Sequence, residues 1–221
     1  MRHVRKRTGL SRPALRSLRR LQLIKATIDS IAKRGFADTT LANVADGAGL
    51  SRGIVNFHFT NKETLLNETL QYLAEEYRSV WQRALSRAGP SPADRLYAMV
   101  MADFDSLVYN RKKIAVWYAF FGESKSRPTY LALCGQRDRE HHRVLQDLCQ
   151  QLLDVTRNNS LDADLIATGL SAITDGLWLD RLLDPRAQTK ERARATVLSY
   201  LASVFPQHHA RLQLFADSKS A

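Results

Sequence analysis

Residues 35–66 read GFADTTLANVADGAGLSRGIVNFHFTNKETLL, and they predict two short helices joined by a turn. The apolar residues of 41–45 recur at helical spacing and end near Gly49, where glycine favours a turn. Ser51 then offers an N-cap for a second short helix that runs through Phe57, because its hydroxyl can accept a hydrogen bond from a free backbone N–H. Two short helices connected in this way form a helix-turn-helix.

Helical periodicity extends from this motif in both directions, and no stretch of the chain shows a sustained strand-like alternation. A first helix is predicted over residues 16–34, ending at Gly35. A capping box of Thr60 and Glu63 predicts the start of a long helix over 61–87. Further helices are predicted over 92–108, 111–123, 127–156, 161–183 and 189–205. The sequence therefore predicts an all-α fold.

The helical pattern divides the chain into four parts. Residues 14–62 are predicted to form a three-helix bundle that contains the helix-turn-helix, and residues 63–206 a larger helical domain. Residues 1–13 are predicted to be a flexible basic arm, and residues 207–221 a flexible tail.

Positive charge is concentrated at one end of the sequence. The chain carries a net charge of +11, of which residues 1–34 supply +10 through eleven basic residues and one acidic residue. A dense positive region beside a near-neutral body favours a polyanionic partner, because neutralised phosphates release counterions. Duplex DNA, RNA and an anionic membrane surface all fit this feature, so charge alone does not choose among them.

Several classes of protein are disfavoured by what the sequence lacks. Two cysteines, Cys134 and Cys149, are too few for a disulfide framework, and no stretch approaches the roughly 18 apolar residues of a membrane span. We therefore expect a cytoplasmic protein. Without a glycine-rich phosphate loop, a nucleophile elbow or a paired metal motif, we expect no enzyme, no cofactor and no metal. Adjacent side chains point in different directions from a helix, so we do not expect the pairs His141-His142 and His208-His209 to share a metal ion.

The helix-turn-helix stretch resembles the N-terminal signature of the TetR repressor family. The matching positions are Gly35-Phe36, Thr40, Val44-Ala45, Ala48-Gly49-Leu50-Ser51, Gly53, His58-Phe59, Lys62 and Leu65-Leu66. The resemblance implies a homodimeric transcriptional repressor in which a helix-turn-helix domain is followed by a helical ligand-binding and dimerisation domain. A two-fold dimer in turn predicts a near-palindromic DNA operator.

The same resemblance implies a set of DNA-contacting residues, which are Thr40, Ser51, Arg52, Gly53, Asn56, Phe57, His58 and Lys62. Arg52 is the strongest candidate for reading a base, because a guanidinium can bind O6 and N7 of guanine together. Asn56 departs from the family, in which most members have a tyrosine there. Phe57 either meets a thymine methyl group or packs within the motif. The basic arm follows the phosphates, places an arginine in a minor groove, or is a solvated tail.

A second resemblance lies in the C-terminal half, where 113–121 and 175–179 are similar to the branch of the family that includes the choline-responsive repressor BetI. The four rings within 117–121 spread over an arc of about 160°, wider than the roughly 100° that one core face needs. Some of these rings therefore face a cavity or another helix. The candidate ligand site consists of Trp81, Tyr97, Asp103, Trp117, Tyr118, Phe121 and Tyr130. A choline-like quaternary ammonium is the leading ligand, and plain core packing is the alternative.

Surplus apolar residues on the last two predicted helices indicate a self-complementary four-helix interface between two copies of the chain. The interface candidates are Ile173, Leu177, Trp178, Leu182 and Leu201. The long helix over 61–87 reaches both domains, so a tilt of this helix is the predicted switch. Two alternatives stay open, a DNA binder of the nucleoid type without a ligand and an enzyme of the helical class.

Overall fold

The computed structural model describes residues 11–157 and 160–208, and within these ranges every regular element is a helix. The elements are α1 (Arg12–Arg34), α2 (Leu41–Gly47), α3 (Arg52–His58), α4 (Lys62–Arg87), α5 (Pro92–Ala102), α6 (Arg111–Ser124), α7 (Pro128–Thr156), α8 (Ala163–Leu183), α9 (Lys190–Val204) and a short 3-10 turn (Pro206–His208). The predicted all-α fold is confirmed. None of these helices combines the length and the apolarity needed to cross a membrane.

The chain divides into two compact units whose boundary lies between Thr69 and Leu70, inside α4. After the roles that the sequence predicts for them, we call the unit before this boundary the reading unit and the unit after it the sensor unit. The predicted domains, 14–62 and 63–206, place their boundary at the start of the same helix. Most of the predicted basic arm and of the predicted tail lies outside the described residues.

Helix α1 begins earlier than its apolar periodicity predicts. The hydroxyl of Ser11 accepts a hydrogen bond from the backbone N–H of Ala14 at 3.4 Å, and Pro13 occupies the first turn, where its missing N–H costs nothing. Residues 12 and 13 therefore belong to a helix, and the predicted flexible arm is wrong for them. The other end agrees with the sequence, because Gly35 stops the helix at a φ of 87° that favours glycine.

Caps account for two further corrections. Ser51 occupies the N-cap position of α3, but its side chain makes no capping hydrogen bond. Helix α4 is capped by Asn61 rather than Thr60, because the Asn61 side-chain oxygen accepts the N–H of Thr64 at 2.8 Å. An amide oxygen one residue later performs the same task as a threonine hydroxyl, so the helix starts at Lys62.

Helix α5 ends at Ala102, so the predicted helix over 92–108 is wrong in its last turns. Residues 103–109 form successive turns, and the Asp105 carboxylate accepts the N–H of Leu107 at 2.8 Å within them. Long-range partners also hold this segment, since Trp178 donates its indole N–H to the carbonyl of Asp103 at 3.1 Å. The spacing of apolar residues along the sequence does not predict such long-range hydrogen bonds.

Each unit has its own core. The reading unit buries Leu23, Ile28, Val44, Val55 and Phe59, and a polar chain of Ser30, Thr39 and Asn43 ties α1 to the link before α2 and to α2 itself. The sensor unit buries large rings at Phe104, Trp117, Phe120, Tyr130 and Phe205. Close packing of both cores fixes the helices that present the two candidate sites described next.

Candidate nucleic-acid interface and effector cavity

Helix α3 presents a polar edge to solvent. Val55 is fully buried on one side of the helix, whereas Ser51, Arg52, Gly53 and Asn56 are exposed. The preceding turn depends on Gly49, whose φ of 63° is one that side-chain-bearing residues rarely adopt. The structure therefore holds the inner face of a seven-residue helix and leaves its outer edge free for a partner.

Phe57 and His58 have opposite environments although they are adjacent. The Phe57 ring is 69% exposed, so packing within the motif does not account for it. His58 is buried, and its carbonyl accepts a hydrogen bond from Arg20 at 3.1 Å. Burial lowers the pKa of His58, and the charges of Arg16, Arg20 and Arg19 lower it further. His58 is therefore mostly shielded from solvent, although it also borders the cleft beside Phe57, and its contact with DNA stays a prediction.

The two predicted phosphate clamps already have partners within the chain. The Thr40 hydroxyl accepts the N–H of Asn43 at 3.3 Å and caps α2, while the side chain stays exposed. The amine of Lys62 donates to the carbonyls of Phe36 and Ala37 at 3.4 and 3.3 Å. Lys62 thus fastens the α1–α2 link to the start of α4, and phosphate contacts of both residues stay predictions.

Basic side chains of α1 border the exposed phenylalanine, which the sequence motif did not reveal. The guanidinium of Arg16 lies 5.6 Å from the centre of the Phe57 ring. Arg12, Arg16 and Arg19 line, together with Phe57, an open cleft of about 540 Å³. Their spacing of four and three residues places them on one face of α1, a signal that the sequence does contain. This cationic face extends the exposed edge of α3.

The sensor unit contains a cavity of about 440 Å³, within the usual range of small-molecule sites. Its lining residues are Tyr77, Asp103, Asp138, Arg139, His141, His142, Arg143, Gln146, Ser171, Thr174 and Asp175. Most of these side chains are polar. They come from α4, from the segment after α5, from α7 and from α8.

Asp103 is the most deeply buried carboxylate of this cavity, with 2% of the residue exposed. Tyr77 of α4 donates its hydroxyl to the Asp103 carboxylate at 2.5 Å. Nε2 of His141, on α7, lies 3.3 Å from the same carboxylate oxygen but makes no aligned hydrogen bond. Since Trp178 of α8 donates to the Asp103 carbonyl, one residue connects three helices beside the cavity.

Of the seven predicted ligand residues, only Asp103 lines this cavity. Trp117 stacks on Phe121 with ring centres 5.8 Å apart, and Tyr130 packs edge-on against Phe120 in the core. Tyr118 donates its hydroxyl to the carbonyl of Asp175 at 2.8 Å. Packing within α6 and against a ring of α7 and a carbonyl of α8 thus explains the wide aromatic arc of α6.

The remaining two predicted residues lie beside other depressions. Trp81 meets the His141 ring at 6.1 Å and lines a depression next to the Arg78–Glu140 ion pair. The Tyr97 hydroxyl accepts a hydrogen bond from Arg194 at 3.3 Å and borders a third depression. Tyr77 and His141 are the functional candidates that the sequence reasoning missed.

The predicted interface residues are mostly inward-facing. Leu177, Trp178 and Leu201 are buried within the protomer and leave little surface for a partner, whereas Ile173 and Leu182 are half-buried. The assignment of these residues to a dimer interface stays a prediction. Another face of α8 is open to solvent instead. Its exposed positions follow steps of three and four residues, at Leu165, Thr168, Ala172, Gly176, Leu179 and Leu183.

The described residues offer little support for a metal site or a reactive cysteine. No group of three or more histidine, cysteine or acidic residues there could hold a metal ion. Cys134 and Cys149 are both buried and free, and burial raises the pKa of Cys149 to about 12. A thiol with such a pKa stays protonated and unreactive at neutral pH.

Comparison with known proteins bears directly on the helix-turn-helix and on the helical domain that follows it. Residues 23–69 match the family described as bacterial regulatory proteins, tetR family, and residues 92–206 match the BetI-type transcriptional repressor C-terminal domain. The chain belongs to the TetR family. Its members are transcriptional regulators rather than enzymes, and this TetR protein is a DNA-binding repressor with a BetI-type C-terminal domain.

Relatives of similar length support this membership in the TetR family. The chain is 35% identical to the HTH-type transcriptional regulator BetI of Stenotrophomonas maltophilia, over 83% of this chain and 91% of the relative. It is 34% identical to the regulator of the same name from Serratia proteamaculans, over 85% and 92% of the two chains.

Solved structures share the fold. A transcriptional regulator from Pseudomonas aeruginosa PAO1 has a TM-score of 0.77 at 25% identity, with 89% of this chain and 94% of that chain covered. A regulator from Saccharomonospora viridis, solved in complex with choline, has a TM-score of 0.73 at 22% identity, with 84% and 96% covered.

Proposed function

We propose that this repressor binds a near-palindromic operator as a homodimer and responds to choline or a related quaternary ammonium compound. The observation that carries the proposal is the exposed edge of α3, held by a buried Val55 and shaped by the turn at Gly49. A repressor of this kind acts where the chromosome is, so the proposal includes a cytoplasmic location.

Base reading is assigned to the exposed side chains of α3. Arg52 is free to reach a guanine in the major groove, and a bidentate contact of this type discriminates against other bases by about 1–3 kcal/mol. Asn56, a shorter side chain, is suited to an adenine or a phosphate. The arginine face of α1 beside Phe57 supplies phosphate contacts that set the register without reading sequence.

Dimerisation is assigned to the open face of α8. Exposed leucines at both ends of this face, Leu165 and Leu183, flank small residues, Ala172 and Gly176, that allow a second helix to approach closely. A two-fold axis through such a face makes the interface self-complementary. Two copies of α3 would then read half-sites about one turn of DNA, or 34–36 Å, apart.

The effector is assigned to the cavity beside Asp103. A buried carboxylate and the ring of Tyr77 suit a quaternary ammonium group, since a cation over an aromatic ring gains about 0.5–2 kcal/mol. The choline complex of the regulator from Saccharomonospora viridis supports this choice of ligand.

The switch is assigned to α4, which carries Tyr77 and continues without a break into the reading unit. A cation that competes for the Asp103 carboxylate alters the hydrogen bond that Tyr77 makes to it. A coupling of about 1–3 kcal/mol between the two sites is sufficient for a 5- to 150-fold change in operator affinity. We expect the ligand to release DNA.

Fluorescence anisotropy with operator DNA tests the proposal. The full chain is titrated into labelled DNA from upstream of its own gene, with and without millimolar choline, and against a scrambled duplex of equal length. We expect preference for the upstream DNA and weaker binding with choline. Equal affinity for both duplexes, unchanged by choline, would instead indicate a binder of the nucleoid type.

A further inference from the structure

The effector cavity presents charges of both signs. Asp103 contributes a buried carboxylate, and Asp138 and Asp175 contribute exposed ones. Arg139 and Arg143 contribute two exposed guanidiniums from α7. A cavity built only for a cation has no need of two arginines, because each would repel the ligand.

These two arginines are close together on α7. They lie four residues apart, so they occupy one helix face and are separated by about 6 Å along the helix axis. Like charges at this spacing destabilise a helix. Arg78 of α4, by contrast, is paired with Glu140 of α7. Among the described residues, neither Arg139 nor Arg143 has an ion pair or a side-chain hydrogen bond that would offset this repulsion.

His141 belongs to the same stretch of α7 as the two arginines. It lies between them in the sequence, and its ring approaches Asp103 at 3.3 Å. His141 is buried, with 7% of the residue exposed, and its Nε2 has no hydrogen-bond partner among the described residues. Residues 139–143 of α7 thus contribute two guanidinium groups and a ring nitrogen without a hydrogen-bond partner to the cavity that Asp103 also lines.

We infer that the effector of this cavity is a zwitterion, with an ammonium group at Asp103 and Tyr77 and a carboxylate at Arg139 and Arg143. The inference rests on the proposed effector response and narrows its ligand class. A guanidinium binds a carboxylate in a bidentate fashion, which a hydroxyl cannot match. The anionic end of the ligand offsets the repulsion between the arginines, while the cationic end meets the buried carboxylate.

Isothermal titration calorimetry on the full chain tests the inference with two probes, choline and glycine betaine. The probes share a trimethylammonium group and differ in bearing a hydroxyl or a carboxylate. We expect glycine betaine to bind roughly ten-fold more tightly than choline, the factor that one hydrogen bond between charged groups provides. In the double variant Arg139→Gln/Arg143→Gln, this advantage disappears, whereas choline binds at least as tightly as to the parent protein, because two repelling charges have been removed.

The matched control is Arg95→Gln, an exposed arginine of α5 that does not line the cavity. This variant keeps the preference for glycine betaine. Choline binding at least as tightly as glycine betaine and releasing DNA overturns the inference and leaves the proposed function standing. Loss of affinity for both probes in the double variant also overturns it, because both arginines then support the fold of the cavity. Binding of neither probe overturns both proposals.

Discussion

The reading unit and the sensor unit present their candidate binding residues in opposite ways. In the reading unit, the contact edge is one short helix, α3, whose inner face is packed and whose outer side chains stand free in solvent. In the sensor unit, the central group is a carboxylate with 2% exposure, held by residues from three helices. Substitutions of the exposed residues of α3 should therefore change the affinity for DNA but not the stability of the fold. Substitutions around Asp103 should change the stability as well, because they disturb a packed network.

Neighbouring phenylalanines of the reading unit give the largest expected contrast. Phe59→Ala removes a ring that is 1% exposed and should lower the free energy of unfolding by about 3–5 kcal/mol. Phe57→Ala removes an exposed ring and should change it by less than about 0.5 kcal/mol while weakening operator binding. Urea denaturation and anisotropy measure the two effects. Equal destabilisation by both changes would contradict the exposed position of Phe57.

Placing a charge on the open face of α8 should have the next largest effect, a loss of dimer stability. Leu179→Glu buries two uncompensated carboxylates in a two-fold interface, so dimer stability should fall by about 3 kcal/mol or more. Analytical ultracentrifugation reports the monomer fraction. Leu131→Glu, the same change at an exposed leucine of α7, serves as the control and should leave the dimer intact. A dimer that survives Leu179→Glu would place the interface elsewhere.

Neutralising the buried carboxylate of the sensor unit should weaken ligand binding and with it the effect of the ligand on operator affinity. Asp103→Asn keeps an acceptor for the Tyr77 hydroxyl but removes the charge, so ligand affinity should fall by about ten-fold or more. Operator affinity without ligand should stay within about two-fold, because the change lies outside the reading unit. Calorimetry and anisotropy measure the two quantities separately. An undiminished ligand affinity would remove Asp103 from the site.

Loss of the exposed guanidinium of α3 should weaken the contact with one base pair in each half-site. Arg52→Ala should reduce operator affinity by about 1–3 kcal/mol and relax the preference at a single position of each half-site. Binding to a set of operators with single base changes reveals which position is relaxed. A uniform loss across all these operators would reassign Arg52 to a phosphate contact.

Acidification should produce the smallest effect, through the buried His58. Its pKa in the folded state lies below the ordinary value of 6.5, owing first to burial and then to Arg16, Arg20 and Arg19. As the pH falls through 6.5, the unfolded chain takes up the proton first, so the contribution of His58 to stability is present above 6.5 and is lost below it.

His58→Gln removes this titration. Urea denaturation at pH 7.5 and pH 5.5 should therefore show a smaller loss of stability on acidification in the variant than in the parent protein. Identical losses would show that His58 titrates alike in the folded and unfolded chains.

Local signals in the sequence were sufficient for much of the reading unit. The positive φ angles at Gly35 and Gly49 match the predicted helix end and turn, and the exposed edge at Arg52 and Asn56 follows from them. Burial of His58 was missed, because a polar residue at the end of a seven-residue helix carries no periodicity to indicate its side. The choice of Asn61 over Thr60 as a cap depends on one residue of register, which both side chains permit.

The sensor cavity depends on contacts between residues that are distant in the sequence, which local patterns do not report. Tyr77 and Asp103 are 26 residues apart, and Trp178 is 75 residues from Asp103. Rings of the predicted ligand site also find partners on other helices, since Tyr130 of α7 packs against Phe120 of α6 and Tyr118 of α6 donates to the carbonyl of Asp175 on α8. Apolar surplus on α8 predicts two buried faces, but its spacing does not tell which face the protomer itself covers.

Sequencing of genomic fragments retained by the purified protein tests the central claim most directly. We predict that the retained fragments share a near-palindrome whose half-sites lie about one helical turn apart. We also predict that, for the variant Arg52→Ala, the fragments lose their base preference at one position in each half-site of this near-palindrome. Retention of fragments without a common sequence, or with a single unpaired half-site, would contradict the account of two α3 edges reading duplex DNA at a fixed distance.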